Sequence, residues 1–119
     1  MSGTFKLTPS HKMDGTEATK AVIAYAASLI IKDGPGKLLG LSGYNSGADQ
    51  FLQVHDSATL PADTAVPTIV LKILADSNFA FDFGIYGRYF KAGIVVCNSS
   101  TGPTKTIGSA NCWFEGQSA

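Results

Sequence analysis

Residues 37–56, KLLGLSGYNSGADQFLQVHD, constrain the fold more than any other part of this chain. Leu39 and Leu41 alternate with Gly40 and Ser42, and Leu52 and Val54 alternate with Gln53 and His55. Between the two runs, Asn45, Ser46, Gly47, Ala48 and Asp49 tolerate a left-handed backbone or bond to their own main chain. A period of two with one apolar parity describes strands that are buried on one side and wet on the other. The stretch therefore predicts two antiparallel strands joined by a tight turn, a hairpin with no catalytic signature.

The remaining segments repeat the theme. Residues 17–32, EATKAVIAYAASLIIK, end in β-branched Ile30 and Ile31 before the turn Asp33-Gly34-Pro35-Gly36. Their second half reads as a strand paired through that turn with residues 38–44. The first half is either a preceding strand or a loose extended segment, and the alanines leave a helix as the weaker reading. Residues 65–74, AVPTIVLKIL, form a strand whose start or edge position is marked by Pro67, which cannot donate to a ladder. Phe79, Phe81 and Phe83 share one parity and, with Phe90, are expected to fill the core. A glycine-broken bend follows over residues 84–89. Residues 90–98, FKAGIVVCN, are expected to be the most buried strand, because both faces of Ile94 to Cys97 are apolar. The last strand covers residues 110–115 and could pair with residues 94–98. These seven or eight strands, separated by Gly/Pro/Asn/Ser turns, predict an all-β antiparallel sandwich or jelly roll over residues 21–119. A polar N-terminal arm over residues 1–20 precedes it, either a frayed terminus or a segment that orders on a neighbouring subunit with Phe5 and Leu7 as its apolar anchors.

Charge narrows the partners. Nine Lys plus Arg balance nine Asp plus Glu, and charged residues make up 15% of the 119, a low share. Such a surface lacks the self-repulsion that keeps small proteins apart, which suits either a modestly soluble globular domain or a protein covered by neighbours in an assembly. No basic run exists to contact phosphates, so nucleic acid is not an expected partner. No stretch approaches the roughly 20 apolar residues that span a bilayer. The triplet Ala24-Tyr25-Ala26 imitates a signal-peptidase site, but its polar leader argues against a signal peptide.

The chemistry sought in the sequence is sparse. His55 and Asp56 beside Ser57 suggest a triad, but neighbouring strand residues point to opposite faces and no nucleophile elbow is present. Asp56 is expected instead to cap the turn before Ser57, with His55 on the outer face. Cys97, Cys112, His11 and His55 lack metal-ligand spacing. The two cysteines are expected as packed thiols, with a bridge between them as the lesser alternative. No catalytic, cofactor-binding or metal-binding residue is assigned. Tyr44, Tyr86, Tyr89 and Trp113 fall at strand ends or bends and are the candidate contact residues, together with Phe5 and Leu7. Clustered, the aromatics would make a subunit interface or a glycan platform.

Residues 36–73, followed by residues 88–100, resemble the small β-sandwich virion proteins of tailed bacteriophages, and the likeness extends over about residues 26–100 and the last strand. The likeness rests on the turn Asn45-Ser46-Gly47 and the strand from Phe51 to Asp56, then on the Pro67-led aliphatic strand and the run from Phe90 into Ser99 and Ser100. It is a pattern of core and turn residues, and the polar N-terminal segment has no counterpart in it. The resemblance implies a non-enzymatic structural protein, a capsid decoration protein above all, located in the virion after assembly in the host cytoplasm. Its implied partner is the major capsid protein or another virion protein. It would act as a homo-oligomer, a trimer by analogy with other phage surface proteins. A carbohydrate- or receptor-binding module of a fibre or tail is the alternative. No cofactor is implied.

Overall fold

The computed structural model describes residues 18–119, and over these the chain is an all-β sandwich of two antiparallel sheets. Its strands are β1 (Ala18–Ala21), β2 (Ser28–Lys32), β3 (Gly36–Asn45), β4 (Gln50–Asp56), β5 (Ile69–Ile73), β6 (Ser77–Asp82), β7 (Arg88–Phe90), β8 (Ile94–Ser99) and β9 (Cys112–Ser118). The first sheet runs β1-β9-β3-β6, and β7 takes the same side of β3 as β6, further toward the N-terminal end of β3. The second runs β2-β8-β4-β5.

Neither expected hairpin forms. β3 and β4 lie in different sheets, as do β2 and β3, so both turns carry the chain across the sandwich instead of back along it. The physical reason is visible at the β3–β4 crossing. Asn45 is fully buried there, donating Nδ2 to the carbonyls of Ala48 and Leu74 (2.9 Å each) and accepting from Gly47 N and Gln50 Nε2. A buried amide that satisfies two loops and a neighbouring strand anchors a sheet-to-sheet crossing. The last strand likewise pairs with β1 and β3, and not with residues 94–98. Residues 90–98 are two strands, with Phe90 closing β7 in the first sheet and Ile94 opening β8 in the second.

Between the sheets, Leu38, Leu41, Phe79, Phe90, Cys112 and Phe114 meet Ile31, Leu52, Val54, Ile69, Ile73, Ile94 and Val96. A register shift between Leu38 and Gly40 moves the inward parity of β3, so Leu38 and Leu41 face the core and Leu39 does not. Of the phenylalanines expected inside, Phe79 and Phe90 are buried, while Phe81 and Phe83 pack on the core from its margin. Every residue of β8 is buried, as its two apolar faces predict. Pro67 precedes β5, which is an edge strand. In the glycine bend, Gly84 and Gly87 both take positive φ, and Gly87 N donates to Gly84 O at 3.1 Å.

The outer face of the second sheet is not wet. Gln53 Nε2 donates to the carbonyls of Thr101, Gly102 and Thr104 at 2.9–3.1 Å, and Gln53 Oε1 meets His55 Nε2 at 3.1 Å. The loop of residues 100–109 therefore covers β4 and β8, burying Gln53, His55, Val95 and Cys97. A second loop is sewn to it: Thr64 N donates to Lys105 O, Lys105 N donates to Ala65 O, and Lys105 Nζ pairs with Asp63 at 2.7 Å. Asp56 does not cap the turn before Ser57. Its carboxylate accepts from the backbone N–H groups of Lys91, Ala92 and Gly93, fixing the crossing from β7 to β8.

This cover gives a pH dependence with a definite sign. Burial, then the nearby charge of Lys105, holds His55 below the ordinary imidazole value of 6.5. The unfolded chain therefore takes up this proton first, and stability falls as pH drops below about 6.5. Asp56 and Asp63 are held below the ordinary 3.8, Asp56 chiefly by Ala92 N–H and Asp63 chiefly by Lys105. Their contribution is present above that value and is lost only as pH falls through their lower folded values. Urea titrations at stepped pH should show the first decline in wild type and a flatter curve in His55→Gln. An equal decline in both would place the sensitive group elsewhere.

Candidate interaction face

The outer face of the first sheet carries no such cover among the described residues. β9 presents Trp113, Glu115 and Gln117 outward, alternating with buried Cys112, Phe114, Gly116 and Ser118. Register places Tyr44 opposite Trp113, Ser42 opposite Glu115 and Gly40 opposite Gln117. On the far side of β3, Asn78, Ala80 and Asp82 continue the same three rows. On the far side of β9, Ala21 and Thr19 continue two of them. The face is thus a lattice of aromatic, polar and very small side chains.

Its aromatic end is a notch of about 490 Å³ lined by Ala24, Tyr25, Tyr44 and Trp113. Tyr25 stands edge-on to Trp113, with ring centroids 6.4 Å apart and planes at 85°. Ala26 sets that position by exchanging backbone hydrogen bonds with Cys112, the residue before Trp113. Tyr25 and Trp113 remain 51% and 39% exposed, and neighbouring Ile23 is 98% exposed. Rings so placed retain unburied apolar area, the property that marks contact sites.

Next along the face, Ser42 Oγ donates to Glu115 Oε1 at 3.1 Å, which orients the carboxylate on the sheet. A depression of about 540 Å³ follows, between Gly40, Ser42, Ala80, Asp82, Ile85 and Gln117. Its floor depends on Gly40, where a Cβ would come within 2.7 Å of Gln117 Oε1, so the glutamine amide lies across the glycine. None of the outward residues in these rows is a lysine or arginine.

The candidate contact residues divide by position. Tyr44 and Trp113 come together as a cross-strand pair. Tyr89 sits opposite Lys37, seven residues along β3 from Tyr44 and thus about 20 Å away, and Tyr86 belongs to the bend before it. Both are exposed but form no common cluster with the notch. Phe5 and Leu7 lie outside the described residues, as does most of the segment read as an arm; its last residues, Ala18 to Lys20, belong to β1. Tyr25, not among the candidate contacts, lies in the segment of residues 17–32 whose first half has no decisive periodicity, so no pattern marks it as one.

The edge of this sheet is a second feature. β1 is exposed at all four residues and, among the described residues, pairs on one side only, with β9. Val22 N donates to Phe114 O, so the alternation of an antiparallel ladder turns the N–H and C=O of Lys20 toward β9. Those of Thr19 and Ala21 then point away, to the open edge.

The residues weighed for chemistry do not assemble. His55 meets Gln53, Asp56 caps residues 91–93, and Ser57 Oγ donates to Thr59 O. Cys97 lies under the loop cover while Cys112 faces the core, so the two thiols are free and occupy different layers. Burial pushes the Cys97 thiol up to about 11 and raises that of Cys112 as well, so both stay protonated at neutral pH. Among the described residues no group of three His, Cys, Asp or Glu could hold a metal ion, and no helix is long and apolar enough to cross a membrane. The chain matches no family model, no curated protein and no solved structure.

Proposed function

We propose that this chain is a non-enzymatic structural protein of a bacteriophage virion, a capsid decoration protein that joins the lattice of the major capsid protein by strand addition at β1. The observation that carries this reading is the difference between the two sheets. The chain's own loops cover the outer face of the second sheet, and its edge strands β2 and β5 each bury residues, whereas the first sheet ends, among the described residues, in a strand exposed throughout, with outward main-chain donors and acceptors at Thr19 and Ala21. An uncovered edge of that kind is a template for a partner's strand. Zero net charge and the resemblance of residues 36–73 and 88–100 to phage β-sandwich virion proteins support the same reading. Four residues of edge give little affinity alone, so repetition around a symmetry axis, in a trimer, supplies the avidity.

Proline at an outward edge position removes a donor without touching the β1–β9 ladder. Ala21→Pro should therefore remain folded yet bind at least about tenfold more weakly to particles built from the major capsid protein of the same genome. Wild-type protein should saturate those particles at a copy number set by the lattice symmetry. Absence of wild-type binding, or full occupancy by the proline variant, would overturn the proposal.

A further inference from the structure

The outer rows of the first sheet carry an inference independent of lattice binding, because a strand added at the β1 edge leaves the face itself open. We propose that this face is a binding groove for a neutral oligosaccharide whose rings carry equatorial hydroxyls. Such a ring has an apolar C–H face and a rim of hydroxyls, and it needs a flat aromatic surface beside planar hydrogen-bonding groups. β9 presents this set in one line: the Trp113 ring, the Glu115 carboxylate and the Gln117 amide, at steps of about 7 Å. Tyr25, at 85° to Trp113, forms a wall against which a ring on Trp113 can rest.

Glu115 is oriented in advance. Ser42 holds Oε1, and the second carboxylate oxygen has no hydrogen-bond partner among the described residues, which leaves it to accept from a hydroxyl. Beyond it, Gln117, its amide lying across Gly40, and Asp82 border the depression, where Ala80 with Leu39, Phe81 and Ile85 offers an apolar rest for a second ring. The notch and the depression, about 490 and 540 Å³, each fall within the range of small-ligand sites.

Charge decides the ligand class. The rows contain carboxylates at Glu115 and Asp82 and amides at Gln117 and Asn78, with no cation among them. Sulfated and uronic-acid chains, and nucleic acid, are repelled, and a neutral chain is not. Because the groove is open along its length, binding is weak, with Kd of about 0.1–1 mM.

Trp113 is the only tryptophan in the sequence, so its emission reports on this site alone. Titration of the full-length protein with cellohexaose and with the hexamer of N-acetylglucosamine should give a saturable blue shift with at least one of them. Heparin should give none. By calorimetry, Trp113→Ala and Tyr25→Ala should each weaken binding at least about tenfold, and Glu115→Ala about fivefold or more, with far-UV circular dichroism unchanged. Trp113→Phe should recover part of the loss, which a fold defect would not explain. No response to either sugar up to about 10 mM overturns the proposal. So does affinity that survives Trp113→Ala, or capture of a proline-rich peptide in place of sugar. Failure here leaves the reading of the β1 edge standing, since particle binding is measured separately.

Discussion

Phe114→Ala is expected to lower the free energy of unfolding by about 3–5 kcal/mol, the largest loss from any single truncation in this core. The residue is fully buried on β9, flanked by β1 and β3, and its ring packs on Phe79 at 6.4 Å with planes tilted 56°. Collapse around the lost ring is hindered on the sheet side. Gly43, opposite Phe114, has no room even for a Cβ, which would run into the Trp113 carbonyl and the Phe79 ring. Phe81→Ala is the control. Phe81 stacks on Phe79 at 6.2 Å but lies at the margin, only partly buried, so its truncation should cost less, about 1–2 kcal/mol. Urea unfolding of both variants decides the matter. A Phe81→Ala loss equal to that of Phe114→Ala would show that the core centre is misplaced.

Gln53→Leu is the second large effect, expected at about 2–4 kcal/mol. One amide nitrogen serves three loop carbonyls, and leucine leaves all three without that donor beside a buried histidine. Those carbonyls can recover hydrogen bonds only from water, so the loop of residues 100–109 should lift from β4 and β8 while the sandwich core persists. Cys97, fully buried beneath it, supplies the readout. In wild type neither thiol should react with a bulky thiol reagent under native conditions. In Gln53→Leu, Cys97 should react and Cys112, in the core, should not, as peptide mapping would resolve. Continued protection of Cys97 would mean that other contacts hold the cover.

Local pattern carried the class of fold. β-branched and aromatic residues between turn residues are enough to say that residues 28–32, 50–56, 69–73 and 94–99 are strands, because side-chain period and backbone punctuation are local properties. The burial of β8 on both faces was legible for the same reason: four apolar residues in succession leave no wet side. Pairing was not legible. A turn such as Asp33-Gly34-Pro35-Gly36 or Asn45-Ser46-Gly47 reverses a hairpin and carries a chain between sheets with equal ease. The choice depends on partners distant in sequence, such as Leu74 for Asn45 and Thr101, Gly102 and Thr104 for Gln53. The same non-locality hid the cover over His55 and Cys97, since polar Gln53 and His55 read as solvent-facing until a loop distant in sequence satisfies Gln53, and Gln53 in turn meets His55.

For the candidate face, local pattern was enough to put the aromatics Tyr44 and Trp113 near strand ends with little charge around them. That they stand opposite each other, that Tyr25 joins them from the β1–β2 connection, and that Tyr86 and Tyr89 do not, follows from strand pairing across the folded sheet. Alternation assigns a side chain to one face of its strand, whereas the register between β3 and β9 decides which side chains share a row. That register is set by the buried ends of the sandwich: the shift between Leu38 and Gly40, the tight Gly43, and the Asn45 amide that locks the crossing.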